Sequence, residues 1–533
     1  MTHKLRISFL CIVVLFSLKT LNAQILTSAE IDQLVDRTLK TFDVPGIAVA
    51  VVKDGKIVHA KGYGVRSLNT KQKVDENTLF GIASNSKAFT VAALGILVDE
   101  GKLKWDDQVI DYVPEFRMYD PYVTNAFTIR DLLTHRSGLG LGAGDLMIFP
   151  DSSNFTVNDI IHNLRYLKSV SGFRTKFDYD NLLYIVAGEV VARVSGISWD
   201  DFIESRIMKP LKMTQSAANY NRLKDKSNVI DAHAPVNGTV QVIKRDFSTS
   251  MDAAGGIYSN LTDLSKWIIM QMNDGKYGEN TDQHLFSERV HDDMWMTQTI
   301  LPVNERLKGQ TQKIYNTHFG AYGLGWFLSD VKGYKQVYHS GGLAGIVTLV
   351  TLIPELKLGI IVLTNQQSGA AFTAVTNTIK DGYIGIKGND WVKMLKDAST
   401  ESQKNADKIT AEVNSMIDAS LKSSVPVKND LFTGTYSDKW FGDVKITEQN
   451  SKLHLASVRS PRLNGELFPY KGNTFIVKWN DRSMDADAYV KFTTDSEGKA
   501  IGLKMEAISP LTDFSFDFQD LDFSRKAEAS PKK

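Results

Sequence analysis

Near residue 425 the hydrophobic pattern of this 533-residue chain changes period, and one core cannot serve both halves. Before that point, helical spacings alternate with short β-branched runs. Thr27-Ser28-Ala29-Glu30 forms a capping box, and Ile31, Leu34, Val35 and Leu39 follow at helical spacing, which predicts a helix to about Thr41. Ile47 to Val52 and Ile57 to Tyr63 read as strands joined by the turn Asp54-Gly55. Helical spacing returns from Ala83 to Glu100, stopped by Gly101, and from Asn181 to Val194, stopped by Gly196. Strands reappear at Ile346 to Leu352 and Leu358 to Leu363. Helices lying between an early and a late group of strands predict an α+β domain, an antiparallel sheet flanked by helices.

Trp391 to Lys422 is polar and helix-prone, and we read residues 391–428 as a helical linker. Short alternating segments follow at Val444 to Ile446, Leu453 to Leu455, Thr474 to Trp479, Tyr489 to Phe492, Ile501 to Met505 and Phe514 to Phe518, with turns such as Gly472-Asn473 and Glu497-Gly498 between them. They predict a small all-β, barrel-like domain over 429–525, ahead of a polar tail at 526–533. The first domain then occupies 24–390.

The chain opens with Lys4 and Arg6, an apolar stretch from Ile7 to Leu18, and small or polar residues to Ala23. This reads as a secretory signal peptide over 1–23, too short in its apolar core for the ~20 residues that span a bilayer. The expectation is an exported protein without a membrane span once processed. Its single cysteine, Cys11, lies inside that leader, so disulfides, thiolate-held zinc and a cysteine nucleophile are excluded from the processed chain. Lys4, Arg6 and Lys19 also fall there, leaving 59 basic against 61 acidic residues, a net of −2, which gives no footing for a nucleic-acid partner.

Catalysis must then use oxygen or nitrogen groups. Ser84-Asn85-Ser86-Lys87 stands where a strong apolar helix begins, so Lys87 lies one turn along from Ser84 on the same face. A neutral lysine can take the proton of a serine hydroxyl, and burial favours the neutral amine. The same four residues also fit an N-cap serine with a solvated lysine. Tyr179-Asp180-Asn181 precedes the next apolar helix; a phenol there can relay a proton and an amide can hold a carbonyl, although a packing tyrosine fits as well. His339-Ser340-Gly341-Gly342 precedes a strand, where glycine lets substrate approach a backbone N–H, or simply makes a turn.

Together, in this order, the three elements resemble the serine β-lactamase and penicillin-binding-protein family, nearest its class C β-lactamase and esterase branch. The resemblance spans roughly Ile31 to Ile386 and extends to Leu133-Thr134-His135-Arg136-Ser137-Gly138-Leu139, Ala254-Gly255-Gly256-Ile257-Tyr258-Ser259 and Tyr322-Gly323-Leu324-Gly325-Trp326. It implies Ser84 as nucleophile, Lys87 and Tyr179 as a coupled acid and base, Asn181 as a substrate contact, and the N–H groups of Ser84 and Gly342 as oxyanion donors, with Gly341 beside them in the same motif. His339 stands where the family carries a lysine that helps bind substrate carboxylate. An unperturbed imidazole, with a pKa of about 6.5, is mostly neutral at pH 7, so the expectation shifts from β-lactams toward an ester, amide or D-amino-acid peptide. The resemblance implies no metal or cofactor. It makes His135 a hydrogen-bonded loop residue, and it places the protein in the periplasm by analogy with cell-wall enzymes. The downstream β segment resembles the lipocalin-like domain that follows some of these hydrolases; Trp440, Phe475, Trp479 and Phe518 read as its core, or as a surface extending the substrate site. The competing class is a non-hydrolytic penicillin sensor or scaffold. Neither the acyl substrate nor the oligomeric state is legible in the sequence.

Overall fold

The structure is a computed structural model, and it describes residues 25–245, 248–303, 310–422 and 428–527, with only the backbone of 310–312. The leader and the last residues of the polar tail lie outside the described residues.

The capping box forms as expected: the Thr27 hydroxyl accepts from the Glu30 N–H, and the helix runs Ser28–Phe42. Strands Gly46–Lys53 and Lys56–Gly64 then pair around a turn in which Asp54 and Gly55 both adopt positive φ. These two strands open an eight-stranded antiparallel sheet. Strand Leu358–Thr364 pairs with Gly46–Lys53, then come Ile346–Ile353, Tyr334–Leu343, Phe327–Val331, Gly320–Tyr322 and Thr299–Leu301. Because side chains alternate along a strand, Val49 and Val51 pack with Ile31, Val35 and Val375 on one face, whereas Ala48, Ala50 and Val52 join the larger helical core on the other. Coverage of both faces explains why these central strands read as continuous apolar runs rather than as alternation.

The helical core is built around Ser86–Asp99 and Leu182–Ser195, the latter ended by Gly196 at φ 78°. From Ser86 to Leu97 every side chain of the first helix is buried, so it is apolar all round and lies in the middle of the domain.

Trp391–Leu421 is one long helix docked at both ends. Trp391 and Val392 pack into the sheet-side core, while Val413 and Ile417 meet Ile476 and Ile508 of the downstream domain. That domain is a closed eight-stranded barrel. Trp440, Phe475, Trp479 and Phe518 are all buried in its core. Three strands escaped the sequence reading, Gly434–Asp438, Asn464–Lys471 and Phe523–Arg525. Conversely, Phe514 to Phe518 is not a strand. It is a turn ending in a short 3-10 segment at Phe518–Asp520, and it leaves the barrel to meet the first domain.

Barrel and first domain are clamped together. Arg462 donates to Asp151 at 2.5 Å and to Asp481 at 2.8 Å, with the Arg462–Asp151 pair almost fully buried. Arg459 pairs with Asp159 at 2.9 Å and lies over the Phe155 ring, and the Asn163 amide donates to the Trp440 carbonyl at 2.8 Å.

Candidate active site

Ser84 sits in a single 3-10 turn, Ala83–Asn85, that feeds directly into the buried helix. Ala83 is held at φ 51°, a conformation that costs a β-carbon strain and persists only when surroundings impose it. The surroundings are visible. The Ile82 N–H donates to the Ile257 carbonyl, and the Asn85 amide and Thr348 hydroxyl both donate to the Ile82 carbonyl, tying the turn to the neighbouring strand. Ser84 is thus presented half-exposed on a rigid corner.

Lys87 is completely buried. Its Nζ donates to Ser84 Oγ at 3.2 Å, Asn181 Oδ1 at 2.7 Å and the Ala254 carbonyl at 2.9 Å. Desolvation dominates its titration and pulls it down to about 7, against an opposing pull from Asp145 and Asp180. Tyr179 contributes a ring 4.8 Å from Lys87 Nζ and a buried hydroxyl beside Ser84 that has no hydrogen bond of full geometry. Burial raises that phenol well above its ordinary range, and Ser84 draws it partly back. The phenol is therefore neutral, a donor that can also pass a proton on.

Asn181 does more than line the site. While its Oδ1 accepts from Lys87, its Nδ2 donates to Asp145 Oδ2 at 2.8 Å, and the same carboxyl oxygen accepts from the Ser515 hydroxyl of the barrel at 2.9 Å. Asp517 accepts the N–H groups of Gly144 and Leu146 at 2.6 and 2.9 Å, fixing the loop that carries Asp145. Burial raises the Asp145 and Asp517 carboxyls well above the usual range. None of Asp145, Ser515 and Asp517 was singled out from the sequence. An Asp between apolar residues carries no signal until its partner, hundreds of residues away, is known.

The edge of strand Tyr334–Leu343 passes the serine turn. A β-carbon on Gly341 would stand 2.4 Å from the Ile82 carbonyl, so only glycine fits there, whereas one on Gly342 would meet nothing within 4 Å and face the open cavity. His339 lines the same cavity but spends both ring nitrogens internally: Nδ1 donates to the Ser340 carbonyl at 2.5 Å and Nε2 accepts from the Tyr322 hydroxyl at 3.0 Å. Burial and the nearby Lys87 push its pKa down to about 3, so it presents no cation. His135 is a loop residue at φ 52°, its ring tilted against that of Tyr179 with centroids 4.2 Å apart, and its Nδ1 accepts from the Asp180 N–H at 3.0 Å. Among the described residues no cluster of three or more metal-ligating side chains occurs, and no single helix is long and apolar enough to cross a membrane.

A serine and a lysine one turn apart at the head of a buried helix, facing a glycine-bearing strand of a helix-flanked antiparallel sheet, define the β-lactamase/transpeptidase-like class of fold. The chain belongs to the beta-lactamase family, whose model matches residues 31–381. Residues 423–525 match a domain of unknown function, DUF3471, which is the barrel. The unguisins hydrolase ungD′ of Aspergillus campestris is 27% identical over 395 residues, covering 70% of each chain. Protein flp of Staphylococcus aureus is 28% identical over 341 residues, 64% of this chain and 63% of that protein. The octameric penicillin-binding protein homologue from Pyrococcus abyssi shares the fold with a TM-score of 0.60 at 21% identity, over 93% of this chain and 100% of that one.

Proposed function

We propose that this protein is an exported, periplasmic serine hydrolase that passes through an acyl-enzyme on Ser84, acting on esters, amides or peptides. The observation carrying this reading is the buried Lys87, 3.2 Å from Ser84 Oγ and drawn down to about 7. A lysine at its ordinary pKa would be locked as an ammonium; this one exchanges a proton near neutral pH.

In the proposed sequence Ser84 Oγ attacks the substrate carbonyl carbon while its proton passes to Lys87 Nζ. The carbonyl π electrons move to oxygen, and the resulting oxyanion takes hydrogen bonds from the Ser84 and Gly342 N–H groups. As the carbonyl re-forms, the bond to the leaving group breaks, and Lys87 returns its proton to that group through the Tyr179 hydroxyl. Water then attacks the acyl carbonyl carbon, giving its proton to the same pair, and as the carbonyl re-forms the bond to Ser84 Oγ breaks and that proton passes to Oγ, releasing the acid and restoring the serine. Asn181 holds Lys87 in place and turns its remaining edge to substrate. The engaged, neutral His339 supports esters or amides over β-lactams, whose carboxylate it cannot pair.

Intact-mass spectrometry of the processed protein and of Ser84→Ala, each mixed with a fluorophosphonate, a penicillin and a D-amino-acid ester, tests this reading. The expected result is a Ser84-dependent adduct with steady product release, and a loss of turnover of at least about a thousandfold in Ser84→Ala. Adducts without release identify a penicillin sensor instead, and undiminished turnover in Ser84→Ala overturns the mechanism.

A further inference from the structure

The cavity over Ser84, about 510 Å³, is not a feature of the first domain alone. Phe149, Phe177 and Phe327 wall one side, and the barrel supplies Met484, Leu511 and Phe514 on the other. Leu511 and Phe514 remain 43% and 40% exposed, and both line the cavity. Phe514 meets the Tyr179 ring edge-on at 5.9 Å. Its carbonyl comes so near Gly142 that a β-carbon there would stand 2.7 Å away, while the Gly142 N–H donates to the Tyr179 carbonyl at 2.8 Å. The segment is seated from below by Ser515 and Asp517. It is held, not draped.

Charge narrows the choice of substrate. Among the described residues lining the cavity the one permanent cation is Arg462, already paired with Asp151 and Asp481, and the barrel adds Asp485 and Asp513. His339 is neutral and engaged. A carboxylate on the acyl group would lose water, meet two carboxylates and gain only neutral donors such as Ser340 and Gln367, since the one cation is already paired. An aromatic or branched apolar acyl group would bury its surface against six apolar side chains and could stack on the Phe514 ring.

We propose that the barrel is the selecting half of the site: Phe514, with Leu511 and Met484, admits uncharged aromatic or apolar acyl groups and rejects those bearing a carboxylate. Phe514 is the specificity-determining residue. This rests on the Ser84 acyl-enzyme reading above.

The test compares p-nitrophenyl phenylacetate with p-nitrophenyl hydrogen glutarate, using p-nitrophenyl acetate as reference, on the full chain and on Phe514→Ala and Phe514→Arg. Because Phe514 is partly exposed, both variants are expected to fold, which melting curves check. In the wild type kcat/KM for the phenylacetate should exceed that for the glutarate by at least about tenfold. Phe514→Ala should cut the phenylacetate-to-acetate ratio by about tenfold, mainly through KM, and Phe514→Arg should raise the glutarate ester relative to the phenylacetate. A wild type that prefers the glutarate, or ratios unmoved in both variants, overturns the proposal while leaving the hydrolase reading intact. Failure to turn over even the acetate ester overturns both.

Discussion

At the scale of single residues the site is a set of groups forced away from their ordinary protonation. In the proposed mechanism Lys87 serves as base only when neutral. With its pKa near 7, acylation should rise with pH through about 7 and level off above it, where an exposed lysine would keep rising toward 10. A kcat/KM profile in a fast ester shows this directly; Lys87→Arg, charged at every accessible pH, should lose the plateau along with at least about a thousandfold in rate. The two glycines of the strand edge make a sharper pair. Gly341→Ala must push against the Ile82 carbonyl and should cost about 1–3 kcal/mol of stability by overpacking, seen as a lower Tm, whereas Gly342→Ala should leave Tm unchanged and lower kcat by intruding on the cavity. The three motifs made Ser84, Lys87, Tyr179, Asn181, His339, Gly341 and Gly342 legible as candidates; Ser84, Tyr179, Asn181, His339 and Gly342 line one cavity, with Lys87 buried behind Ser84 and Gly341 packed against the Ile82 carbonyl. Sequence could not reveal that His339 has both nitrogens occupied, because Tyr322 reaches it from a different strand. Nor could it reveal Asp145, whose role depends on Asn181, 36 residues on, and Ser515, 370 residues on, meeting at one of its oxygens.

Secondary-structure elements were legible in proportion to how local their signals are. The capping box, the Asp54-Gly55 turn and the Gly196 stop each encode themselves within a few residues, and their elements end within two residues of where those signals put them. Phe514 to Phe518 alternates like a strand because Phe516 and Phe518 pack inward against the barrel while Ser515 and Asp517 are buried facing another domain. Polar residues on the outer face normally signal solvent; here they signal an interface. Ser515→Ala should therefore act at a distance. With one donor to Asp145 gone, that carboxyl is less readily ionised, its upward pull on Lys87 weakens, and the acidic limb of the kcat/KM profile should move to lower pH while the thermal midpoint changes little. On the short helix Asp252–Gly255, whose Ala254 carbonyl accepts from Lys87, the carboxyl of Asp252 is pushed up to about 8 by burial and by Asp200. A raised carboxyl binds its proton in the folded state where the unfolded chain has released it, so stability falls as pH rises from about 4 to 8. Asp252→Asn should flatten that decline in a series of melting curves.

The molecule as a whole is one functional body built from two cores. A division into an α+β domain and a β domain was legible because the hydrophobic period changes; their mutual orientation was not, since it depends on Arg462, Arg459 and Asn163 finding partners over 250 residues distant. Arg462→Ala would leave the buried Asp151 with only Lys244, 3.7 Å away, and should cost about 3 kcal/mol, measurable as an earlier, less cooperative melt. The bridging helix, docked at one end on the sheet and at the other on the barrel, keeps the barrel from swinging away on a flexible tether. Under the proposed selection by the barrel, bond-making and choice of substrate are written in separate stretches of the gene. A lineage can redraw the tip around Phe514 without touching the nucleophile, and new tastes can be acquired by mutation where errors leave the chemistry unharmed.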